Sequence, residues 1–257
     1  MILSKGVPII MPVIIRSQLN SIQKTQIQSI IDTTYTFEPV TITFPMDDAD
    51  FYVFFETEGV IRSAAAFSME DDNTCECCAY TDPNYRKQGM FSEILETAID
   101  KLPEDTQFLF YTDHKSKDTL TVLSSLEAEC VMDEHMMEID AASISQLVEN
   151  LSPNMQSGLQ MTESVFDGTH TFSYSDVFGS VRISVFSSYY YLYGFEIAEN
   201  HRQKGHGTKL LLQVLKDLSN RKNMPVRLQV SGTNIPAMQL YNKTGFRITE
   251  TLSCYIY

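Results

Sequence analysis

The sequence predicts a mixed α+β chain built as two domains in tandem, residues 1–135 and 136–257, each a mostly antiparallel sheet flanked by helices. Three observations carry this. Short β-prone runs of four to ten residues, bounded by turn residues, alternate with amphipathic stretches of helical spacing. A strand, an Arg-x-x-Gly loop, an amphipathic helix and a second strand occur in that order twice. The two loop arginines, Arg86 and Arg202, stand 116 positions apart, which makes a two-copy repeat of domain-sized units.

In the first copy, Val7–Ile15 reads as a strand and 21–33 as a helix with Ile22, Ile27, Ile30 and Ile31 on its apolar face. Residues 51–55 and 60–67 form a hairpin with Gly59 in the turn, and 74–81 is a third strand. The loop Tyr85-Arg86-Lys87-Gln88-Gly89 opens a helix with Phe91, Ile94, Leu95, Ala98, Ile99 and Leu102 at helical spacing. A short strand at 108–111, a helix at 120–126 and a closing strand at 130–139 follow. In the second copy, 144–151 is a short helix and Ser152-Pro153-Asn154 a break. Residues 169–174 and 181–187 pair as a hairpin. Tyr189–Ile197 is a long aromatic strand. It leads through a polar turn into the loop Arg202-Gln203-Lys204-Gly205-His206-Gly207-Thr208 and a helix carrying Leu211, Val214, Leu215 and Leu218. A strand at 226–230, a helix at 235–243 and a closing strand at 246–257 complete it.

A strand-to-helix turn with glycines exposes backbone N–H groups at a helix N-terminus, a favourable place for a phosphate. Two common phosphate motifs do not fit. The Lys-Ser/Thr ending of the nucleotide P-loop is absent, and Leu210 stands where a dinucleotide fingerprint needs its third glycine. The net charge of −14 argues against nucleic acid. The excess acid is one-sided: residues 1–134 hold 9 Lys or Arg against 23 Asp or Glu, whereas 135–257 hold 10 of each. The second half therefore suits a polyanionic ligand, and the acidic half would draw a cationic one.

The five cysteines, Cys75, Cys77, Cys78, Cys130 and Cys254, form no disulfide framework and point to a reducing cytoplasm. Cys75-Glu76-Cys77-Cys78 lacks a second ligand pair at zinc spacing and reads as buried strand; no metal is expected. Val7–Ile15, the longest apolar run, is too short to span a bilayer, holds Pro8 and Pro12, and lacks a small-residue cleavage site, so neither a membrane span nor a signal peptide is read there.

Arg202-Gln203-Lys204-Gly205-His206-Gly207 resembles the Arg/Gln-x-x-Gly-x-Gly/Ala pyrophosphate loop of the GNAT acetyltransferase superfamily. Downstream, Asn234-Ile235-Pro236-Ala237-Met238-Gln239-Leu240-Tyr241-Asn242-Lys243-Thr244-Gly245-Phe246 is similar to that superfamily's Asn-x-x-Ala-x-x-x-Tyr-x-x-x-Gly-Phe signature, with no departure. The first copy resembles the loop, with Phe91 at the last Gly/Ala place, but its later segment lacks the Asn, the Tyr and the Gly-Phe. The resemblance implies acetyl-coenzyme A as cosubstrate, without a metal. It implies that Phe195, Glu196 and Ile197 offer backbone groups to the pantetheine and the thioester carbonyl, and that Arg202 through Thr208 cradle the pyrophosphate. Asn234 would hold the pantetheine arm, and Tyr241 would protonate the departing thiolate. The implied activity is acetyl transfer to a primary amine of a small molecule or peptide, by direct attack; the acidic first half and the aromatic strand suit a cationic acceptor. A non-catalytic acyl-coenzyme A-binding or regulatory module is the alternative, and a homodimer is compatible with either. Unbroken alternation outward from Ile197 puts Phe195, Tyr193 and Tyr191 on one strand face and Glu196 on the other, unless a bulge re-aims it. On that count no carboxylate stands ready as general base, which leaves a water relay or an acidic group from the first half.

Overall fold

The computed structural model describes residues 13–38, 42–151, 158–166 and 168–257. The chain forms two compact units: Met1–Val131 with Leu252–Tyr257, and Met132–Thr251. The expected division at 135/136 thus shifts by a few residues, and the last six residues move to the first unit.

The first unit orders its strands β1 (Val13–Arg16), β2 (Phe51–Thr57), β3 (Val60–Met69), β4 (Thr74–Thr81) and β5 (Gln107–Asp113) side by side. Only β1 is described of the predicted 7–15 strand; residues 7–12 lie outside the described residues. The β2–β3 turn, Glu58 and Gly59, has positive φ at both positions (53° and 77°), the tight turn whose twist matches its strands. β4 and β5 run parallel, joined by α2 (Met90–Ile99), as a strand-helix-strand crossover requires. On the other edge of β5 lies Leu252–Ile256, the end of β12 (Arg247–Ile256), antiparallel to it. Helix α1 (Ser21–Phe37) outlasts its prediction by a turn. Asn20 and Gln23 cap each other's backbone N–H at its start, and Thr34 is buried within it. The sheet is covered on both faces. Phe67, Cys75, Cys77, Ile94 and Ala98 pack on the α2 side; Ile27, Phe54, Cys78 and Tyr80 pack on the α1 side. The three β4 cysteines are therefore core residues. Burial pushes the Cys75 thiol up to about 11 and Cys78 to about 12, so both stay as inert thiols. All five cysteines are free.

The second unit orders its strands β6 (Glu129–Ile139), β11 (Val226–Ser231), β10 (Tyr190–Ile197), β9 (Gly179–Val185), β8 (Thr169–Ser175) and β7 (Gln160–Phe166). β6 is not the first copy's closing strand: it pairs antiparallel with β11. β7 was not expected. Most of its side chains are exposed and its sequence, QMTESVF, gives no clean alternation, because it is an edge strand with little to bury. The predicted break at 152–154 lies outside the described residues. α4 (Ala141–Glu149), α5 (His206–Arg221) and α6 (Ile235–Lys243) complete the unit. α5 buries Leu210, Leu211, Val214, Leu215 and Leu218 against Tyr190, Leu192, Val181 and Ile183. Each such side chain contributes about 1.5–3 kcal/mol of hydrophobic burial. No described helix is long and apolar enough to cross a membrane.

Candidate active site

The site grows out of β10. Its pairing with β11 is parallel and covers Tyr190–Leu192 against Val226–Leu228. Beyond Leu192 the two strands part. On the other side, β10 keeps register with β9 to Tyr193↔Arg182, then resumes at Glu196↔Ser180 with one extra residue in β10. This is a β-bulge, and Gly194, at φ 58°, supplies its left-handed backbone. A second glycine makes room for it: a Cβ on Gly179 would fall 2.2 Å from the Glu196 carbonyl oxygen and 2.5 Å from Ile197 Cδ1.

The bulge corrects the straight alternation. Tyr190 and Leu192 face the α5 core, and after the bulge Phe195 and Ile197 join them there. Glu196 is thereby turned to the face of Tyr191 and Tyr193, whose rings stack with centroids 6.3 Å apart. Glu134 of β6 acts on the same region. The Tyr191 hydroxyl is pushed up by burial first, then by Tyr189 and by the Glu134 charge. Two carboxylates thus stand on a tyrosine-lined face that the sequence had left without one.

A short 3₁₀ turn at Glu199–His201 follows β10, and then the loop. Arg202 is extended (φ −66°, ψ 159°), Gln203 is left-handed at φ 59°, and Gly205 is left-handed at φ 83° and caps α5. Successive N–H groups in such a loop form a concave anion nest. No side chain caps the helix, so its first-turn N–H groups have no competing acceptor. Arg202 Nε donates to the Ile197 carbonyl at 2.9 Å, and its guanidinium has no carboxylate partner among the described residues. Lys204 Nζ donates to the Asn200 carbonyl, and the His206 ring stacks on Phe178 at 3.7 Å. Thr208 lies half-buried in the first turn of α5. A Cβ on Gly207 would meet Ile197 and Leu240 at 3.5 Å and Phe195 at 3.6 Å, so the start of α5, the end of β10 and α6 converge there.

From α6 come the last two residues. Asn234 caps the helix, its side chain accepting from the Ala237 N–H at 3.3 Å. Tyr241 is buried, with its ring edge-on to Phe195 and tilted against Phe246. Burial pushes its hydroxyl up to about 12. Of the predicted residues, Phe195, Ile197, Gly207 and Tyr241 therefore converge, while Asn234 caps the start of α6. Gly179, Phe178 and Glu134 were missed. For the bulge, Gly194 inside a strand pattern was a legible signal.

Residues 152–246 match the family model of the acetyltransferase (GNAT) family. Solved structures agree in fold over 95–96% of the chain. A tandem GNAT protein from the clavulanic acid biosynthesis pathway aligns with a TM-score of 0.65 at 10% identity, covering 96% of this chain and 98% of that one. A GCN5-related N-acetyltransferase from Sphaerobacter thermophilus aligns at 0.61 and 12%, covering 96% of each. A GNAT-family acetyltransferase from Colwellia psychrerythraea aligns at 0.56 and 11%, covering 95% and 99%. No curated protein matches the chain in sequence.

The Arg202 loop is built again in the first unit. Arg86 (φ −63°, ψ 160°), Lys87 (φ 62°) and Gly89 (φ 82°) repeat Arg202, Gln203 and Gly205 within a few degrees. The chemistry around it is not repeated. β3 and β4 stay in register from Met69↔Cys75 to Ser63↔Thr81, so there is no bulge. Helix α3 (Lys117–Ser125) has Ser116 at its N-cap where α6 has Asn234; seven residues on, the buried Leu123 stands where α6 has Tyr241. Among the described residues no cluster of His, Cys, Asp or Glu could hold a metal.

Proposed function

We propose that the second unit transfers an acetyl group from acetyl-coenzyme A to a primary amine, without a covalent enzyme intermediate. The observation that carries this reading is Tyr241, a hydroxyl held protonated by burial beside the bulged end of β10 and next to an anion nest. The nest residues fit a diphosphate: left-handed Gln203 and Gly205, an uncapped α5 and an Arg202 guanidinium without a carboxylate.

In this mechanism Arg202 to Thr208 and the N–H groups of α5 hold the diphosphate. Backbone N–H groups at Phe195–Ile197 face the thioester carbonyl and stabilise the charge that develops on it as the C–N bond forms. Glu196, on the face of Tyr191 and Tyr193, takes the proton that the amine nitrogen sheds, directly or through water. The C–S bond then breaks, and Tyr241 gives its proton to the thiolate. A phenol suits this role because its pKa lies above that of a thiol. The stacked tyrosines beside Glu196 and Glu134 favour a cationic acceptor. The cysteine usage supports a cytoplasmic setting.

Calorimetry with acetyl-coenzyme A tests the site. Gly205→Glu places a carboxylate in the nest and abolishes binding; retained affinity would show that the assignment is wrong.

A further inference from the structure

A cavity of about 450 Å³ lies in the first unit, between the splayed strands β4 and β5. That volume is within the range of small-molecule sites, roughly 300–1,000 Å³. Its wall is mostly apolar, including Met90, Phe91, Phe110, Val122, Leu123 and Leu126. β4 and β5 pair only from Thr74↔Gln107 to Glu76↔Leu109. Past that point each remains bonded on its outer side, β4 to β3 and β5 to β12, while the two inner edges face the cavity without pairing to each other. Backbone donors and acceptors on such edges need partners, and an extended amide-bearing chain supplies them as an added strand would.

The phosphate end differs. Arg86 has the backbone of Arg202 but not its availability. Its NH2 group donates to Glu38 Oε1 at 2.8 Å and its NH1 group to Asp118 Oδ2 at 2.9 Å, while Nε reaches the Thr81 carbonyl at 3.4 Å. Lys87 lies 3.7 Å from Asp118 as well. Arg86 belongs to the loop before α2 and Asp118 to the first turn of α3, so the pair ties together the two helices that flank the splayed strands. Two internal carboxylates thus hold the guanidinium that would meet an anion. A diphosphate approaching it would lose that partner and meet two like charges, which is costly. Asp118 titrates low, chiefly through its hydrogen bond to Arg86, so its charge persists at neutral pH.

We propose that the first unit's cleft is a second ligand site, which takes an uncharged, extended, amide-bearing molecule and turns away diphosphates because Glu38 and Asp118 already hold Arg86. With Leu123 in place of a tyrosine and no bulge, this cleft binds and does not transfer.

Methyl NMR on the full chain, with methionine methyls labelled, tests it. Met90 lines the first cleft, and Met238 packs in the second unit against the core beside Tyr241. Pantetheine, the uncharged half of coenzyme A, is expected to shift Met90. Acetyl-coenzyme A is expected to shift Met238 and leave Met90 in place. In Glu38→Gln/Asp118→Asn, acetyl-coenzyme A should shift Met90 as well, with affinity there raised about tenfold or more, equal to about 1.4 kcal/mol. An unmoved Met90 with pantetheine, a Met90 shift by acetyl-coenzyme A in the unaltered chain, or no gain in the double variant would each overturn the proposal. Failure of acetyl-coenzyme A to shift Met238, with Met90 still responding to pantetheine, would count against the function assigned to the second unit and leave this cleft standing.

Discussion

The Tyr241 ring meets the Phe195 ring edge to face, with centroids 6.4 Å apart and planes at 75°. This contact fixes the proposed proton donor against the strand whose backbone is bulged. It joins the strand that leads into the Arg202 loop to the Asn234–Phe246 motif, across 46 positions of sequence. Tyr241→Phe keeps both ring contacts and removes only the hydroxyl. The expected result is a kcat reduced about 10²–10⁴-fold with little change in acetyl-coenzyme A affinity, measured by steady-state kinetics and calorimetry.

The same hydroxyl gives a stability prediction. Its folded pKa, about 12, lies above the roughly 10 of an unfolded tyrosine, so the folded state holds the proton more tightly. The stabilisation is complete below about pH 10 and is lost as pH rises from 10 towards 12. Denaturation midpoints across that window should fall more steeply in the parent chain than in Tyr241→Phe.

Gly179 and Gly207 make opposite predictions. Gly179→Ala drives a Cβ into the Glu196 carbonyl at 2.2 Å, so the bulge must shift. A loss of about 1–3 kcal/mol in urea unfolding and a fall in kcat are expected. Gly207→Ala meets only ordinary contacts at 3.5 Å and should leave stability within about 0.5 kcal/mol.

Ending the chain after Thr251 removes the strand that Leu252–Ile256 lays along β5. Amide exchange at Phe110 and Thr112 should then quicken, although both lie in the first unit, far away in sequence. A strictly linear two-domain arrangement predicts no change there.

Much of this was legible because the loop glycines, the Asn234 cap and Tyr241 sit at fixed offsets that local backbone chemistry enforces. The loop at Arg86 was legible for the same reason, and its dihedrals repeat those at Arg202 within a few degrees. Glu196 was misplaced by counting along an unbroken strand, since one extra residue at Gly194 reverses every later side chain. Cys78 stands 116 positions before Gly194 and cannot offer the same backbone freedom, consistent with the unbroken register of β4. Strand pairing was the hidden part. Nothing local distinguishes β6 or the end of β12 as belonging beside β11 or β5, because register and partner are set by long-range packing.

The most direct test of the account is thiol release from acetyl-coenzyme A in the presence of a panel of primary amines. It predicts release that depends on amine, is greatest for cationic acceptors, and falls about 10²-fold or more in Glu196→Gln. Bound acetyl-coenzyme A with no amine-dependent thiol release across the panel would contradict it and leave a binding module.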